Sequence, residues 1–213
     1  METGRLEAFS DGVFAIAITL LILDVKLPQA DPRSPLGANL THQAPHYLGY
    51  AISFIVIGMI WLNHHGIFQR IDRIDHPGLV LNLILLMCVV FIPYPTSVMA
   101  SYFRAGFDET SAAAFYGATL AVTALVLAIL WLYVSRGPGL LDPGVSPVEV
   151  RRLTARYFAT PVLYAGAFGV ALLSVPAGLA LYLLIACTYF FLRARTDGEG
   201  RSSSRGSPRA SSP

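Results

Sequence analysis

Three groups of residues in this chain have types and spacings that could do chemistry, and each lies in or beside strongly apolar surroundings. The first is Arg5-Leu6-Glu7-Ala8-Phe9-Ser10-Asp11, which runs directly into the apolar stretch Val13 to Leu23. Ionisable side chains at membrane depth turn toward other protein groups, because lipid offers no hydrogen bonds. A structural interlock and a functional site are both open readings of that run. The second group is His64-His65 followed by Asp72, Asp75 and His76. Imidazole and carboxylate together suit divalent ions, but adjacent histidines point about 100° apart on a helix and neither has a second His four residues away. The spacing therefore favours solvated charge in a short turn over a metal site. The third is Asp24, two residues before Lys26; it is either an acidic ring that concentrates cations at a mouth or an ordinary interfacial carboxylate. The chain has no Gly-rich phosphate loop, no Gly-x-Ser-x-Gly elbow and no basic-aromatic surface of the kind nucleic acid requires. The expectation is a protein that is not an enzyme, holds no cofactor or metal and binds no nucleic acid.

The elements that must position these residues follow from composition. With 54% hydrophobic and 13% charged residues in 213, the chain has too few charges to cover a water-facing surface, and its solvent is largely lipid. Net charge is only +2, so the position of charge says more than its total. A bilayer core needs roughly 20 apolar residues at helical rise. Segments of that kind lie at about 7–26, 45–63, 77–100, 111–134, 157–174 and 176–192, which predicts an all-α membrane protein of six transmembrane helices over residues 1–195. The last two are separated only by Val175, Pro176 and their neighbours, as in a tight helical hairpin. Glu7 and Asp11 inside the first apolar run, with no small-residue cleavage pattern after it, read as a retained helix rather than a signal peptide. Cys88 and Cys187 fall inside apolar runs and read as small hydrophobes.

Arginines fix the expected topology, since cytoplasmic flanks collect basic residues. With the amino terminus inside, Arg5, Arg70, Arg73, Arg136, Arg151, Arg152, Arg156 and the five arginines from Arg193 onward are cytoplasmic, against Lys26, Arg33 and Arg104 outside. Both termini are then cytoplasmic in a multi-pass protein of the cell membrane. The segment from Pro28 to His46, rich in proline, reads as an outer loop without regular structure. Residues 196–213, made of Ser, Gly, Arg and Pro with no apolar anchor, read as a disordered cytoplasmic tail. No internal repeat is present, so a symmetric pathway would need several copies.

The segment Arg5, three variable residues, Phe9-Ser10-Asp11 resembles the signature of the endolysosomal potassium channel family and its shorter bacterial relatives, in which that motif opens a pore-lining first helix. The likeness continues at Trp61 and His64, at Leu81-Asn82 and at Pro93-Tyr94. Beyond about residue 100 only the pattern of spans is similar. The resemblance implies a cation pore on a symmetry axis, K⁺ as permeant ion and a homotetramer in the lipid bilayer. It also implies a ring of branched aliphatic side chains at Ile16 as the narrowest point, a threonine one turn on at Thr19, and a further apolar ring near Leu23.

Helical geometry bears on the same helix independently. Ile16, Thr19, Leu20 and Leu23 lie within about 60° of Ile16 and form one stripe, while Asp11 lies about 140° away and points into the bundle. On spacing alone such a stripe is also ordinary packing. Arg5, Phe9, Ser10, Asp11, Trp61, His64 and Asn82 are assigned to one network tying the first helix to the second and third. No Thr-Val-Gly-Tyr-Gly filter is present, so selectivity would rest on a dewetting constriction at Ile16 with Thr19 hydroxyls and exposed carbonyls beyond it. A histidine near the membrane surface would make conduction pH-sensitive. The competing reading is a secondary transporter or proton-coupled carrier in which Asp11 and His64 relay protons; its best broken-helix candidate is Phe91-Ile92-Pro93-Tyr94-Pro95, one kink without a counterpart.

Overall fold

The structure is a computed structural model, and it describes residues 3–25 and 35–188. Its described residues form helices α1 (Thr3–Leu20), α2 (Leu36–His42), α3 (Ala44–Phe68), α4 (His76–Phe91), α5 (Pro93–Ala105), α6 (Glu109–Arg136) and α7 (Pro147–Leu173). A shorter apolar helix, α8 (Val175–Thr188), follows. One 3-10 turn, Leu21–Asp24, extends α1. Five spans are long and apolar enough to cross a bilayer, with α4 and α5 counted together, and α8 adds a sixth apolar helix. The fold is all-α, as expected. The expected end of the sixth span beyond Thr188 and the tail 196–213 lie outside the described residues.

The packing has two layers. In one, α1 packs on α3 and α4, and α5 packs on α3; in the other, α6 pairs with α7 and also backs α4 and α5. The layers share a core containing Phe14, Val56, Leu85, Tyr116, Leu130, Trp131 and Tyr182. α8 folds back on this second layer, with Gly178 so close to α7 that an added Cβ would stand 2.6 Å from the Ala171 Cα. Only a residue without a side chain permits that approach.

Local chemistry sets the boundaries. Asp75 caps α4 by accepting from the Gly78 N–H at 3.0 Å, and Pro77 occupies the first turn, where its missing N–H costs nothing. Ser146 does the same for α7, accepting from Glu149 N–H at 3.2 Å ahead of Pro147. α5 stops at Gly106, whose φ of 70° is open to a residue without Cβ. The third span breaks at Ile92: Pro93 has no N–H to give, and the Ile92 N–H turns to Val89 O at 3.1 Å.

Two expectations are corrected. The outer segment 28–46 is not wholly irregular, because Leu36–His42 is helical and α3 already begins at Ala44. Prolines read as breakers act here as starters: Pro35 stands at the N-cap of α2 and Pro45 lies in the first turn of α3. The fifth span, expected from Tyr157, starts ten residues earlier at Pro147, since its first turns carry Arg151, Arg152 and Arg156 and hydropathy registers only the apolar remainder. The turn after α3 also pairs with the turn after α6, through Asp72 N–H to Leu140 O and Asp142 N–H to Arg70 O, both 2.9 Å. Arg70 reinforces that junction with an ion pair to Glu149 at 2.9 Å.

Candidate functional site: the first helix and its anchors

α1 has two unlike faces. Leu6, Ser10, Phe14, Ala17 and Leu21 recur at helical spacing and are buried against α3 and α4. On the opposite side Ile16 is 57% exposed, Leu23 73% and Leu20 38%, and Thr19 is exposed with them. Gly12 and Ala15 extend that exposed side and keep it slim. The four residues of the predicted stripe therefore share one uncovered face of the subunit.

A directed chain of hydrogen bonds holds the buried face. Ser10 Oγ donates to Leu6 O at 2.8 Å, so its oxygen accepts from Asn82 Nδ2 at 3.1 Å. With the Asn82 amide so oriented, its Oδ1 is the acceptor 2.8 Å from His64 Nε2, which must carry the proton. His64, Asn82 and Ser10 are all fully buried. Rings of Phe14 and Phe68 lie on the imidazole at centroid distances of 5.3 and 4.4 Å. Beside this chain, Trp61 Nε1 donates to Asp11 Oδ1 at 2.8 Å, so the carboxylate turns away from Ile16 toward α3.

Two residues expected in the network stand outside it. Arg5 is exposed, with no hydrogen bond or ion pair among the described residues, and Phe9 is 54% exposed. The helical wheel gives the reason: they lie about 140° and 100° from Ser10, off the buried face. A contact that sequence reasoning missed takes their place. Glu7, about 60° from Ser10, reaches His65, with Oε1 and Nδ1 at 2.7 Å. The only sequence signal was an acidic residue one turn before Asp11. His64 and His65 thus diverge as adjacent helical residues must, and no cluster of metal-ligating side chains exists among the described residues.

At the other end of α1, Asp24 is also tied inward. Ser97 Oγ of α5 donates to Asp24 Oδ1 at 2.5 Å, and His46 Nε2 of α3 lies 3.9 Å from Oδ2. Both ends of the helix are therefore pinned by polar contacts on one side while its apolar middle faces outward on the other.

A second buried hydroxyl chain fixes the bend in the third span. Thr96 Oγ1 donates to Ile92 O at 2.8 Å, which makes it the acceptor for Ser53 Oγ at 2.7 Å. Ser53 in turn accepts from Tyr116 OH at 3.0 Å.

This arrangement can be set beside known proteins. The family model for the endosomal/lysosomal potassium channel TMEM175 matches residues 5–93, the stretch that holds Ser10, Asp11, Trp61, His64 and Asn82. A potassium channel of Streptomyces collinus is 43% identical over 190 residues, covering 89% of this chain and 92% of that protein. The chain belongs to the TMEM175 family. A potassium channel of Chamaesiphon minutus is 40% identical over 195 residues, covering 91% of this chain and 95% of its own. The crystal structure described as a lysosomal potassium-selective channel TMEM175 homolog from Chamaesiphon minutus superposes with a TM-score of 0.80 at 36% identity, covering 89% of this chain and 97% of that one. Membership of TMEM175 makes the chain a multi-pass membrane protein of a channel family.

Proposed function

We propose that this chain is a potassium-selective channel in which four copies surround one axis and α1 of each lines the conduit, with K⁺ as the permeant ion. The observation that carries the reading is the uncovered stripe of Ile16, Thr19, Leu20 and Leu23, opposite a face anchored by buried hydrogen bonds. A stripe that merely touched lipid would need no such fixed rotation; a pore wall does, because a turn of the helix by one residue replaces the wall. The nine-tenths coverage by the Streptomyces and Chamaesiphon potassium channels supports it.

Ile16 rings form the constriction, and their branched side chains leave a gap that dries unless it widens. One turn on, Thr19 Oγ1 donates to Ile16 O at 2.9 Å. Its hydrogen is thereby spent on the backbone, which leaves the oxygen lone pairs free to meet a cation. K⁺ surrenders hydration more readily than Na⁺, so a narrow apolar ring followed by hydroxyls favours it. Asp24, bound to Ser97 and close to His46, braces the outer end of α1 more than it lines a mouth. Arg70, Arg73, Arg136, Arg151, Arg152 and Arg156 flank one side of the bundle against Arg104 on the other among the described residues, which supports a cytoplasmic location for both termini.

The proton-carrier reading gains nothing from the geometry. The chain from His64 ends on a backbone carbonyl at Leu6, which cannot pass a proton onward, and Asp11 accepts from an indole that does not titrate. The test is reversal potential in planar bilayers under asymmetric KCl and NaCl, for the parent and for Ile16→Asn. The parent reverses near the K⁺ equilibrium potential, and the variant, with a wetter ring, moves toward zero. A variant with unchanged discrimination removes Ile16 from the constriction.

A further inference from the structure

Two apolar faces flank α1 and are left largely open by the described residues of the subunit, with Phe115 of α6 set edge-on to Phe91 and Tyr94 at the margin of the second. On α3, Phe54, Ile55, Gly58 and Leu62 border a groove of about 530 Å³ that Ile18 of α1 also lines. A Cβ placed on Gly58 would meet nothing within 4 Å, so the groove is open at the glycine. On the far side of α1, the exposed residues Val80, Ile84, Met87, Phe91 and Tyr94 form a single ridge along α4 and into α5. Their spacing alternates four and three, the seam that one helix presents to another. Leu83 and Val90 are exposed beside them, so the ridge is the centre of a broader apolar face.

Depth in the membrane relates the two faces. The pairs His64–Asn82 and Ser53–Thr96 place residues of α3 and the third span side by side at two heights. Between them, Gly58 falls level with Met87 to Phe91, Ile55 with Pro93 and Tyr94, and Leu62 with Ile84. Rotation about an axis normal to the membrane preserves depth, so only a ridge level with the groove can enter it from a neighbouring copy.

We propose that the α3 groove receives the α4 ridge of a second copy of this chain, with Met87 and Phe91 entering over Gly58, and that this head-to-tail contact closes the ring around α1. The inference rests on the pore reading, because α1 packs on both helices and only an inward α1 turns its two flanks toward neighbours. The contact joins unlike surfaces, so it propagates from copy to copy until the ring closes. The open glycine lets the helices approach closely, which is the main source of helix association where both sides are already apolar.

Disulfide trapping in native membranes tests it, on a Cys88→Ser, Cys187→Ala background. Ile55→Cys with Tyr94→Cys, and separately Leu62→Cys with Ile84→Cys, are expected to give a ladder of dimer, trimer and tetramer on oxidation. Leu62→Cys with Phe91→Cys, mismatched in depth, is expected to give none. Gly58→Leu, which fills the groove, is expected to shift the detergent-solubilised protein from tetramer to monomer with unchanged helical circular dichroism. Ile16→Cys is labelled in parallel with a membrane-impermeant thiol reagent. Tetramers with labelled Ile16→Cys but no ladder from the matched pairs overturn the interface and leave the pore reading standing. Self-trapping of Ile55→Cys alone into dimers overturns it in favour of a two-fold contact. Monomers with unlabelled Ile16→Cys overturn both.

Discussion

Replacing Asn82 by Leu is the sharpest perturbation of the α1 anchor. Asn82 makes two fully buried side-chain bonds, to His64 at 2.8 Å and Ser10 at 3.1 Å. Interhelical bonds in membranes are worth about 0.6 to 1.7 kcal/mol each, which gives about 1 to 3 kcal/mol for the pair. The His64 Nε2–H is then stranded in a site walled by Phe14 and Phe68, at a further cost of about 1 to 3 kcal/mol. Asn82→Leu is therefore expected to destabilise by about 3 kcal/mol, measured by steric trapping in bicelles. His64→Leu removes the stranded donor, so the double variant should cost at least about 1 kcal/mol less than the two singles added together. An Asn82→Leu variant within about 0.5 kcal/mol of the parent, or strict additivity with His64→Leu, refutes the directed chain.

Trp61→Phe removes one hydrogen bond to a carboxylate that is only partly buried, and should cost about 1 to 2 kcal/mol while broadening the K⁺/Na⁺ reversal shift through a looser α1; unchanged stability by the same assay would mean that water replaces the indole. Tyr182→Phe should be neutral or stabilising, since the buried Tyr182 hydroxyl has no hydrogen-bond partner among the described residues; a loss above about 1 kcal/mol would reveal one. Gly117→Ala should destabilise by about 2 kcal/mol or more, because its Cβ would collide with the Tyr182 ring end, and Tyr182→Phe should recover part of that loss. At the N-cap of α4, the Tyr133 hydroxyl bound to Asp75 holds that carboxyl below its ordinary value, with the Gly78 N–H assisting. A carboxylate depressed in the folded state contributes stability above its unfolded value and loses it as pH falls through the folded one. Tyr133→Phe should therefore lower the denaturant midpoint at neutral pH and converge with the parent in acid.

Much of α1 was legible because polar residues at the start of an apolar span must find partners, and few candidates exist in neighbouring spans. Ser10, Asp11, Trp61, His64 and Asn82 followed from that scarcity and from the family likeness, and the stripe at Ile16 followed from helical period. Their pairing did not follow, since the direction of each bond depends on which hydrogens are already spent. Arg5 and Phe9 were drawn in by the motif although the wheel turns them off the buried face. Ser53, Thr96 and Tyr116 gave no signal, because hydroxyl side chains in spans commonly bond their own backbone, as Thr119 and Thr123 do here. The early start of α7 and the short α2 were hidden for a related reason: hydropathy registers apolar runs, and the charged first turns of α7 and the seven residues of α2 supply none long enough.

The chain from Tyr116 through Ser53 to Thr96 terminates on the carbonyl of Ile92, where the third span bends. Three helices thus grip the corner, and its angle is dictated from outside the segment that turns. Proline begins the bend, but the neighbours set where it points. The corner acts as a bracket for Ser97 and the far end of α1, so in the proposed channel a widening of the conduit is expected to come from movement elsewhere.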